Sequence, residues 1–208
     1  TEIFRSDWTF ASKRPLRDHD PVPETGEADC SGLSQLVASG PDVPNDSLRN
    51  ALLTNIFRAR QRVWITTPYF VPDELFLEAL YIAAIRKVQI VIIVPKKSNH
   101  RLADIVREGY LTRLQEAGVE VLLYEPCMLH AKTILIDDTL AIVGSANMDM
   151  RSMLLNYEIA LCLYDTETIK QLETWMLDRQ AHCSARELLA RKSFALIEGV
   201  SRLFAPLL

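Results

Sequence analysis

An almost unbroken apolar stretch at residues 88–94 constrains the fold of this chain more than any other feature. A strand formed there has apolar side chains on both faces, so both faces must be covered. Residues 101–117 follow with apolar positions at helical spacing and end at Gly118, and residues 119–124 are again strand-like. Strands buried on both sides and alternating with helices indicate an α/β layer fold.

The same alternation continues on both sides of this stretch. Strands are predicted at residues 33–39, 63–67, 88–94, 119–124, 130–136, 140–143 and 157–164, and helices at 47–57, 73–85, 101–117 and 166–189. The order β-α-β-α-β is followed by strand-rich sequence and C-terminal helices. We therefore predict an α/β fold with a mixed, mostly parallel sheet flanked by helices.

The N-terminal fifth of the chain has a different composition. Five of the ten prolines fall within residues 1–47, and residues 13–32 show no sustained period, which is typical of a linker or a long surface loop. The aromatic stretch at residues 3–10 is expected to pack on something, and the chain begins with Thr1 rather than Met. We expect a piece of a longer protein, with residues 1–32 the tail of a preceding domain and a linker, and residues 33–208 one domain.

Composition limits the partners and the compartment. Lys and Arg number 23 against 27 Asp and Glu, a formal net charge of −4, so the chain has no global attraction to nucleic acid and any anion site must be local. The longest apolar run, residues 79–85, is far shorter than the roughly 20 residues that span a bilayer. The four cysteines are scattered without a C-x-x-C pair, which favours reduced thiols over a disulfide framework.

The chemistry concentrates around one histidine and one lysine. In a regular strand His130 and Lys132 project to the same side, with Ala131 on the other. This pair suits a phosphate ester, because the ammonium neutralises a non-bridging oxygen while the imidazole attacks phosphorus or moves a proton. Asp137 has the opposite parity, so on this reasoning it anchors the strand or its turn.

Small and polar residues after the next strand complete the candidate site. Within Gly-Ser-Ala-Asn at residues 144–147, Asn147 offers an amide donor to a bound anion, and Ser145 is equally a phosphate ligand or a turn-former. Glu158 is predicted to accept a hydrogen bond from the His130 imidazole, with an edge-strand charge as the alternative. The spacing of Cys127 and His130 lacks a second ligand pair, so no metal and no other cofactor is expected.

These residues resemble the signature of a known family. His-x-Lys-x4-Asp at residues 130–137, followed by Gly-Ser-x-Asn at 144–147, resembles the motif of the phospholipase D superfamily. The wider context, Thr-Pro-Tyr-Phe-Val-Pro at 67–72 and Gly-Ser-Ala-Asn-Met-Asp-Met-Arg-Ser at 144–152, is similar to bacterial cardiolipin synthases. Lys87 and Asn99 depart from the pattern, since glycine and aspartate are common at these places in that family.

The resemblance implies a metal-free reaction in two steps. It adds Asp137 to His130 and Lys132 in the catalytic signature. One histidine attacks the phosphodiester to form a phosphohistidine, a second histidine protonates the leaving alcohol, and in cardiolipin synthases phosphatidylglycerol is both donor and acceptor. A single histidine cannot stand on both sides of phosphorus, so two copies of the motif must face each other. This chain holds one copy.

The resemblance therefore predicts one half-site of a cardiolipin synthase, with His130 as general acid and base. The expected partners are phosphatidylglycerol, the other motif-bearing half or a homodimer mate, and the surface of the bacterial inner membrane. Two alternatives stay open: a phospholipase-type or nuclease-type hydrolase that uses water, and an inactive half-site module that needs a partner domain. A basic cluster at residues 86–101 either lines an anionic lipid surface or is a solvated face, and an amphipathic stretch at 194–204 either touches the bilayer or packs in the core.

Overall fold

The computed structural model describes residues 2–15, 32–41, 43 and 46–188, and the chain divides into two units, Thr1–Ser31 and Gly32–Leu208. In the first unit, Glu2–Ser12 forms helix α1. Its Phe4 and Trp8 rings contact each other with centroids 6.1 Å apart, and both side chains are exposed. The aromatic stretch is thus helical, and the Lys13 ammonium lies 4.5 Å from the centroid of the Phe10 ring.

The second unit is an α/β domain. Its helices are α2 (Ser47–Arg58), α3 (Glu74–Ile85), α4 (Arg101–Glu116), α5 (Met150–Leu154) and α6 (Thr166–Gln180). Its strands are β1 (Ser34–Ser39), β2 (Arg62–Thr66), β3 (Phe70–Val71), β4 (Gln89–Pro95), β5 (Glu120–Tyr124), β6 (Thr133–Ile136), β7 (Leu140–Gly144), β8 (Met148–Asp149), β9 (Glu158–Leu163) and β10 (Cys183–Ala185).

One eight-stranded sheet organises the domain, in the order β1-β9-β7-β6-β2-β4-β5-β10, and β3 and β8 form a separate parallel pair. The mixed sheet flanked by helices is confirmed, but the expectation that it is mostly parallel is wrong. Only β2–β4 and β4–β5 are parallel, and the other five neighbouring pairs are antiparallel. Short connections such as the turn between β6 and β7 have no room for the crossover that a parallel pair needs.

The two faces of the sheet are covered unequally. Helices α2, α3 and α4 pack on one face and bury the main core, which includes Leu52, Leu80 and Leu114. Helix α6 packs on the other face, where Ile169 and Met176 contact a second core cluster from β2, β4, β5, β6 and β7. That helix covers the middle of its face, and Leu163 of β9 packs against the same cluster, whereas Ile159, Leu161 and Leu36 in β9 and β1 are 37–51% exposed.

Asp side chains fix the starts of two helices that flank the sheet, α3 and α6. Asp73 accepts hydrogen bonds from the backbone N–H groups of Leu75 and Phe76 at the start of α3. Asp165 accepts one from Thr168 at the start of α6. Such caps satisfy N–H groups that have no partner within the helix.

Two element boundaries differ from those predicted. The strand expected at residues 130–136 begins at Thr133, so the preceding histidine and lysine lie in an extended segment before β6. The helix expected at 166–189 ends at Gln180, and β10 follows, pairing with β5. Residues 183–185 pair with the edge strand β5 instead of continuing the helix. The apolar spacing of the sequence does not reveal this pairing, because it reports only local periodicity. The amphipathic stretch predicted at 194–204 lies outside the described residues.

No helix in the described part of the chain is long and apolar enough to cross a bilayer. The three described cysteines, Cys127, Cys162 and Cys183, are free thiols. Burial raises the pKa of the Cys183 thiol to about 11, which keeps it protonated near neutral pH.

Candidate active site

The structure brings His130 and Lys132 together just before β6. The Lys132 Nζ lies 3.0 Å from His130 Nδ1 and 3.3 Å from Nε2, and it donates to the His130 carbonyl oxygen at 2.9 Å. The Lys132 carbonyl oxygen accepts a hydrogen bond from the backbone N–H of Gly144 at 3.2 Å. The end of β7 therefore fixes the short segment that carries both groups, and an imidazole and an ammonium face the same space.

The surroundings adjust the acidity of both groups. Burial and the nearby charge of Lys132 lower the pKa of His130, which favours the neutral imidazole that a nucleophile or a base needs. Burial also lowers the pKa of Lys132, and the carboxylates of Glu158 and Asp149 oppose that effect. Two carboxylates thus lie close enough to stabilise the ammonium group.

Ser145 connects the ends of β7 and β9. Its hydroxyl donates to the Glu158 carboxylate and accepts from the Ile159 backbone N–H at 3.0 Å, while its own N–H donates to the Ile159 carbonyl at 2.9 Å. A Cβ on Gly144 would stand 2.5 Å from that same carbonyl oxygen. The Gly-Ser pair therefore permits close approach of two strands, which is the turn-and-packing role rather than the phosphate-ligand role.

The sequence predicts a contact between Glu158 and the His130 imidazole. The Glu158 carboxylate accepts from Ser145, and no hydrogen bond joins it to His130 among the contacts of the described residues. The support of the imidazole by Glu158 therefore stays a prediction. Strand parity predicts that Glu158 and His130 point to the same side of the sheet, but the hydroxyl that contacts the Glu158 carboxylate is that of Ser145. Glu158 also acts on the charge of Lys132.

Asn147 and Asp149 form the edge of the site next to Lys132. The Asn147 Nδ2 donates to the Ser152 hydroxyl at 3.3 Å, and its Oδ1 is buried without a partner among the described residues. Asp149 is only 5% exposed and accepts from the Ser152 backbone N–H at 2.7 Å, capping α5. Burial raises the pKa of this carboxyl. Sequence reasoning missed Asp149, although it stands two residues beyond the Gly-Ser-x-Asn motif.

A pocket of about 250 Å³ opens beside these two residues. The parallel pairing of β3 with β8 creates it, since Val71 stands opposite Asp149. The lining residues are Tyr69, Val71, His100, Ala103, Asn147, Asp149, Arg151 and Asn156. The exposed His100 also lines this pocket. The sequence did not indicate that His100 lines the pocket, because it lies far along the chain from the motif that contains His130 and Lys132.

The structure places Asp137 away from the other members of the signature. Its carboxylate accepts from the backbone N–H groups of Arg60 at 3.0 Å, Gln61 at 2.8 Å and Arg62 at 3.0 Å, at the far end of β6. Its φ of 49° lies in the left-handed region that Asp and Asn tolerate best among residues other than glycine. Asp137 thus ties the β6–β7 turn to the start of β2, which is the anchoring role expected from its parity, and its place in the catalytic set stays a prediction from the family resemblance.

In the described ranges, no group of three or more His, Cys, Asp and Glu side chains is placed to hold a metal ion. The exposed Cys127 stands near His130 in sequence without further ligand types around the pair.

The fold, together with the contact between the His130 imidazole and the Lys132 ammonium, indicates the class of protein. Nuc from Salmonella typhimurium, a phospholipase D family member, matches 75% of this chain and 99% of its own with a TM-score of 0.64 at 20% identity. A phosphatidylserine synthase from Haemophilus influenzae matches 84% of this chain and 45% of its own with a TM-score of 0.64 at 17% identity. At these identities the likeness shows the fold, which is that of phospholipase D.

Sequence comparison narrows the class to a family. The family described as "Cardiolipin synthase, PLD-like domain" matches residues 52–179, so the chain belongs to that family. Cardiolipin synthase 1 of Bacillus anthracis is 35% identical over 99% of this chain, and cardiolipin synthase A of Pseudomonas fluorescens is 37% identical over 100% of it. The chain spans 43% of the length of each of these relatives.

Replacing Lys132 by Gln is expected to raise the pKa of His130. The change removes the positive charge that opposes protonation of the imidazole, and an amide can still donate to the His130 carbonyl. An NMR titration of the imidazole resonances measures the shift. Lys96→Gln is the control, because Lys96 pairs with Glu125 on the surface. A His130 pKa that stays constant or falls in the Lys132 variant contradicts the electrostatic coupling.

Replacing Asp137 by Asn is expected to cost stability. Although burial opposes it, the three backbone N–H donors and Arg62 hold the pKa of Asp137 below its ordinary value. The carboxylate therefore stabilises the fold above the unfolded-state pKa of about 3.9, and this contribution is lost as the pH falls through the lower folded-state pKa. The expected loss at pH 7 is about 1–2 kcal/mol, and it shrinks in acid.

Urea unfolding at pH 7 and pH 3 measures the loss in the Asp137 variant. The control is Asp138→Asn, whose exposed carboxylate pairs with Arg62 and whose loss costs about 0–1 kcal/mol. A folded Asp137 variant that loses turnover as strongly as a His130 variant would support the place of Asp137 in the catalytic set.

Proposed function

We propose that this chain supplies one of the two half-sites of a phosphatidyltransferase that makes cardiolipin from two phosphatidylglycerol molecules and releases glycerol. The observation that carries the proposal is the contact of the Lys132 ammonium with the His130 imidazole, in a chain whose relatives are cardiolipin synthases. The chain spans 43% of the length of each of those relatives. We therefore propose that the other half-site is supplied from outside this sequence.

In the first step, an imidazole nitrogen of the other half attacks the phosphorus of the donor lipid. A P–N bond forms and the P–O bond to the leaving glycerol breaks. His130, in its imidazolium form, gives its proton to that glycerol oxygen, and Lys132 neutralises a non-bridging oxygen. A lowered pKa makes the His130 imidazolium a readier proton donor.

In the second step, a glycerol hydroxyl of the acceptor lipid attacks the phosphohistidine. The neutral His130 removes the hydroxyl proton, a new P–O bond forms and the P–N bond breaks, which restores the other imidazole. The two steps leave His130 as it began. Burial and Lys132 favour the neutral imidazole that this step uses.

An uncovered apolar strip supports the need for a second half. Val143 pairs with Leu161, and Leu161 pairs with Leu36, so their side chains lie side by side across three strands, with Ile159 next to them. All four are 37–51% exposed. The strip reaches Ser145, whose N–H bonds to Ile159. Contiguous apolar surface of this kind marks an interaction site. We propose that the other motif-bearing half, or a homodimer mate, covers it.

The lipid substrates place the complete enzyme at a membrane surface, and we propose the inner membrane of a bacterium. The basic cluster contributes less to lipid binding than its sequence suggests. Arg86 donates to the carbonyls of Phe57 and Ala59 behind α2, and Lys96 pairs with Glu125. The remaining exposed cations of the cluster are Lys87, Lys97 and Arg101.

The discriminating assay gives the chain phosphatidylglycerol vesicles, alone and mixed with a separately produced first half of a cardiolipin synthase. Cardiolipin with free glycerol is expected in the mixture, where the histidines of the two halves face one phosphorus. The same products from the chain alone indicate a homodimer in which two copies of His130 face each other. Phosphatidic acid instead indicates a hydrolase, and no lipid product in either sample indicates an inactive module.

His130→Asn is expected to lower cardiolipin formation by about 10²–10⁴-fold, since it removes the proton donor and acceptor. His182→Asn is the matched control, because that exposed histidine contacts only the Asp178 carbonyl through Nδ1 in the described part of the chain. Equal rates for the parent and the His130 variant would end the proposed role.

Leu161→Glu is expected to prevent association with the other half, because it places a charge in the middle of the apolar strip. Sedimentation velocity of the chain alone and of the mixture measures the association. Ile85→Glu is the control, since Ile85 is 56% exposed at the end of α3 and far along the chain from the strip. Association of the Leu161 variant at the parental affinity contradicts the interface.

A further inference from the structure

The pocket beside Asn147 and Asp149 has the position of a headgroup site. Asp149 lines the pocket and also acts on the charge of Lys132, so the pocket adjoins the reacting centre. The steps of the proposed function do not use this pocket. The assignment of this pocket as a headgroup site rests on the proposed function, because the reaction determines which chemical group enters the pocket.

The geometry of the reaction brings the same chemical group to this side twice. The leaving alcohol departs, and the accepting alcohol arrives, opposite the P–N bond to the other half. His130 stands on that side, since it protonates the first alcohol and deprotonates the second. When both lipids are phosphatidylglycerol, both alcohols are glycerol headgroups. One pocket on that side of the reacting phosphorus can therefore serve both steps.

The size and lining of the pocket suit a small polyol. Its volume of about 250 Å³ is below the roughly 300–1,000 Å³ that holds a drug-sized ligand. Six of its eight lining residues are polar: Tyr69, His100, Asn147, Asp149, Arg151 and Asn156. Hydroxyl groups of a polyol both donate and accept hydrogen bonds, so they match a lining of amides, a carboxylate and a guanidinium.

Charge around the pocket favours a neutral ligand over an ammonium. Asp149 already accepts from Ser152 and lies in the field of Lys132. Arg151 lines the same pocket. An ethanolammonium group would therefore meet the Arg151 guanidinium inside the pocket, where the one carboxylate already has a hydrogen-bond partner, whereas glycerol hydroxyls carry no charge.

We propose that this pocket binds the glycerol headgroup of phosphatidylglycerol, with Asp149, Asn147 and Asn156 as the residues that recognise its hydroxyls. The pocket then determines which alcohol receives the phosphatidyl group. Donor and acceptor specificity come from one set of side chains, because both alcohols occupy one place.

The first test uses the 208-residue chain and needs no turnover. Glycerol is titrated while the side-chain amide resonances of Asn147 and Asn156 are followed by NMR, with ethanol and ethanolamine as comparison ligands. Saturable shifts with glycerol, at least threefold larger than with either comparison ligand, are expected. Shifts that are equal for glycerol and ethanol, or larger for ethanolamine, overturn the proposal.

The second test measures headgroup exchange by the chain mixed with the first half of a cardiolipin synthase. Phosphatidylglycerol vesicles receive glycerol and ethanol in competition, and the two products are quantified. Asp149→Asn keeps a good helix cap and removes the carboxylate, and it is expected to lower the preference for glycerol at least tenfold. Asn156→Ala is the second variant, expected to lower it in the same direction.

Asp165→Asn is the matched control for the second test. Asp165 caps α6 through the Thr168 N–H at 2.8 Å, as Asp149 caps α5, but it lies outside the pocket. Its variant is expected to keep the parental preference. A parental preference in both pocket variants overturns the proposal. If the parental mixture transfers to no alcohol, the proposed function fails, and the glycerol titration still decides whether the pocket binds the headgroup.

Discussion

The contact between the Lys132 ammonium and the His130 imidazole is the interaction on which the rest of the site depends. The Lys132 charge opposes protonation of the His130 imidazole, so the two groups repel each other when both are charged. The backbone must therefore hold them close together. The backbone bond from Gly144 to the Lys132 carbonyl does this, and Gly144 can approach β9 closely because it has no Cβ. The close packing of two strands thus positions a reactive pair.

The acidic residues around this pair have separate roles. Glu158 and Asp149 stabilise the charge of Lys132, each from a different element, whereas Asp137 holds the opposite end of β6 to β2. Asp149 also caps a short helix and lines the pocket. A single carboxylate therefore connects local helix formation, the charge of the lysine and the proposed recognition of the headgroup. The exposed apolar strip is the surface that we propose the other half covers.

Much of the fold was predictable because burial leaves a local pattern. The apolar stretch at residues 88–94 predicted β4 as a strand covered on both sides, and the helices that flank it followed from their apolar spacing. The direction of strand pairing was not predictable in the same way. The pattern of apolar side chains shows whether a strand is buried, but it does not show which strand lies beside it or in which direction that strand runs. The sheet was therefore predicted to be mostly parallel, whereas pairs such as β6–β7 and β7–β9 are antiparallel.

The sequence alone established the α/β class, the family resemblance and the identity of the reactive pair, because these depend on residue types at short, fixed spacings. Only the tertiary structure decided what the other polar residues do. It placed the Glu158 carboxylate against the Ser145 hydroxyl and the Asp137 carboxylate at the start of β2. It also brought His100 and Asp149 to one pocket. Such contacts arise from chain segments far apart in sequence, and their distances are determined by how β3 and β8 meet rather than by any local spacing.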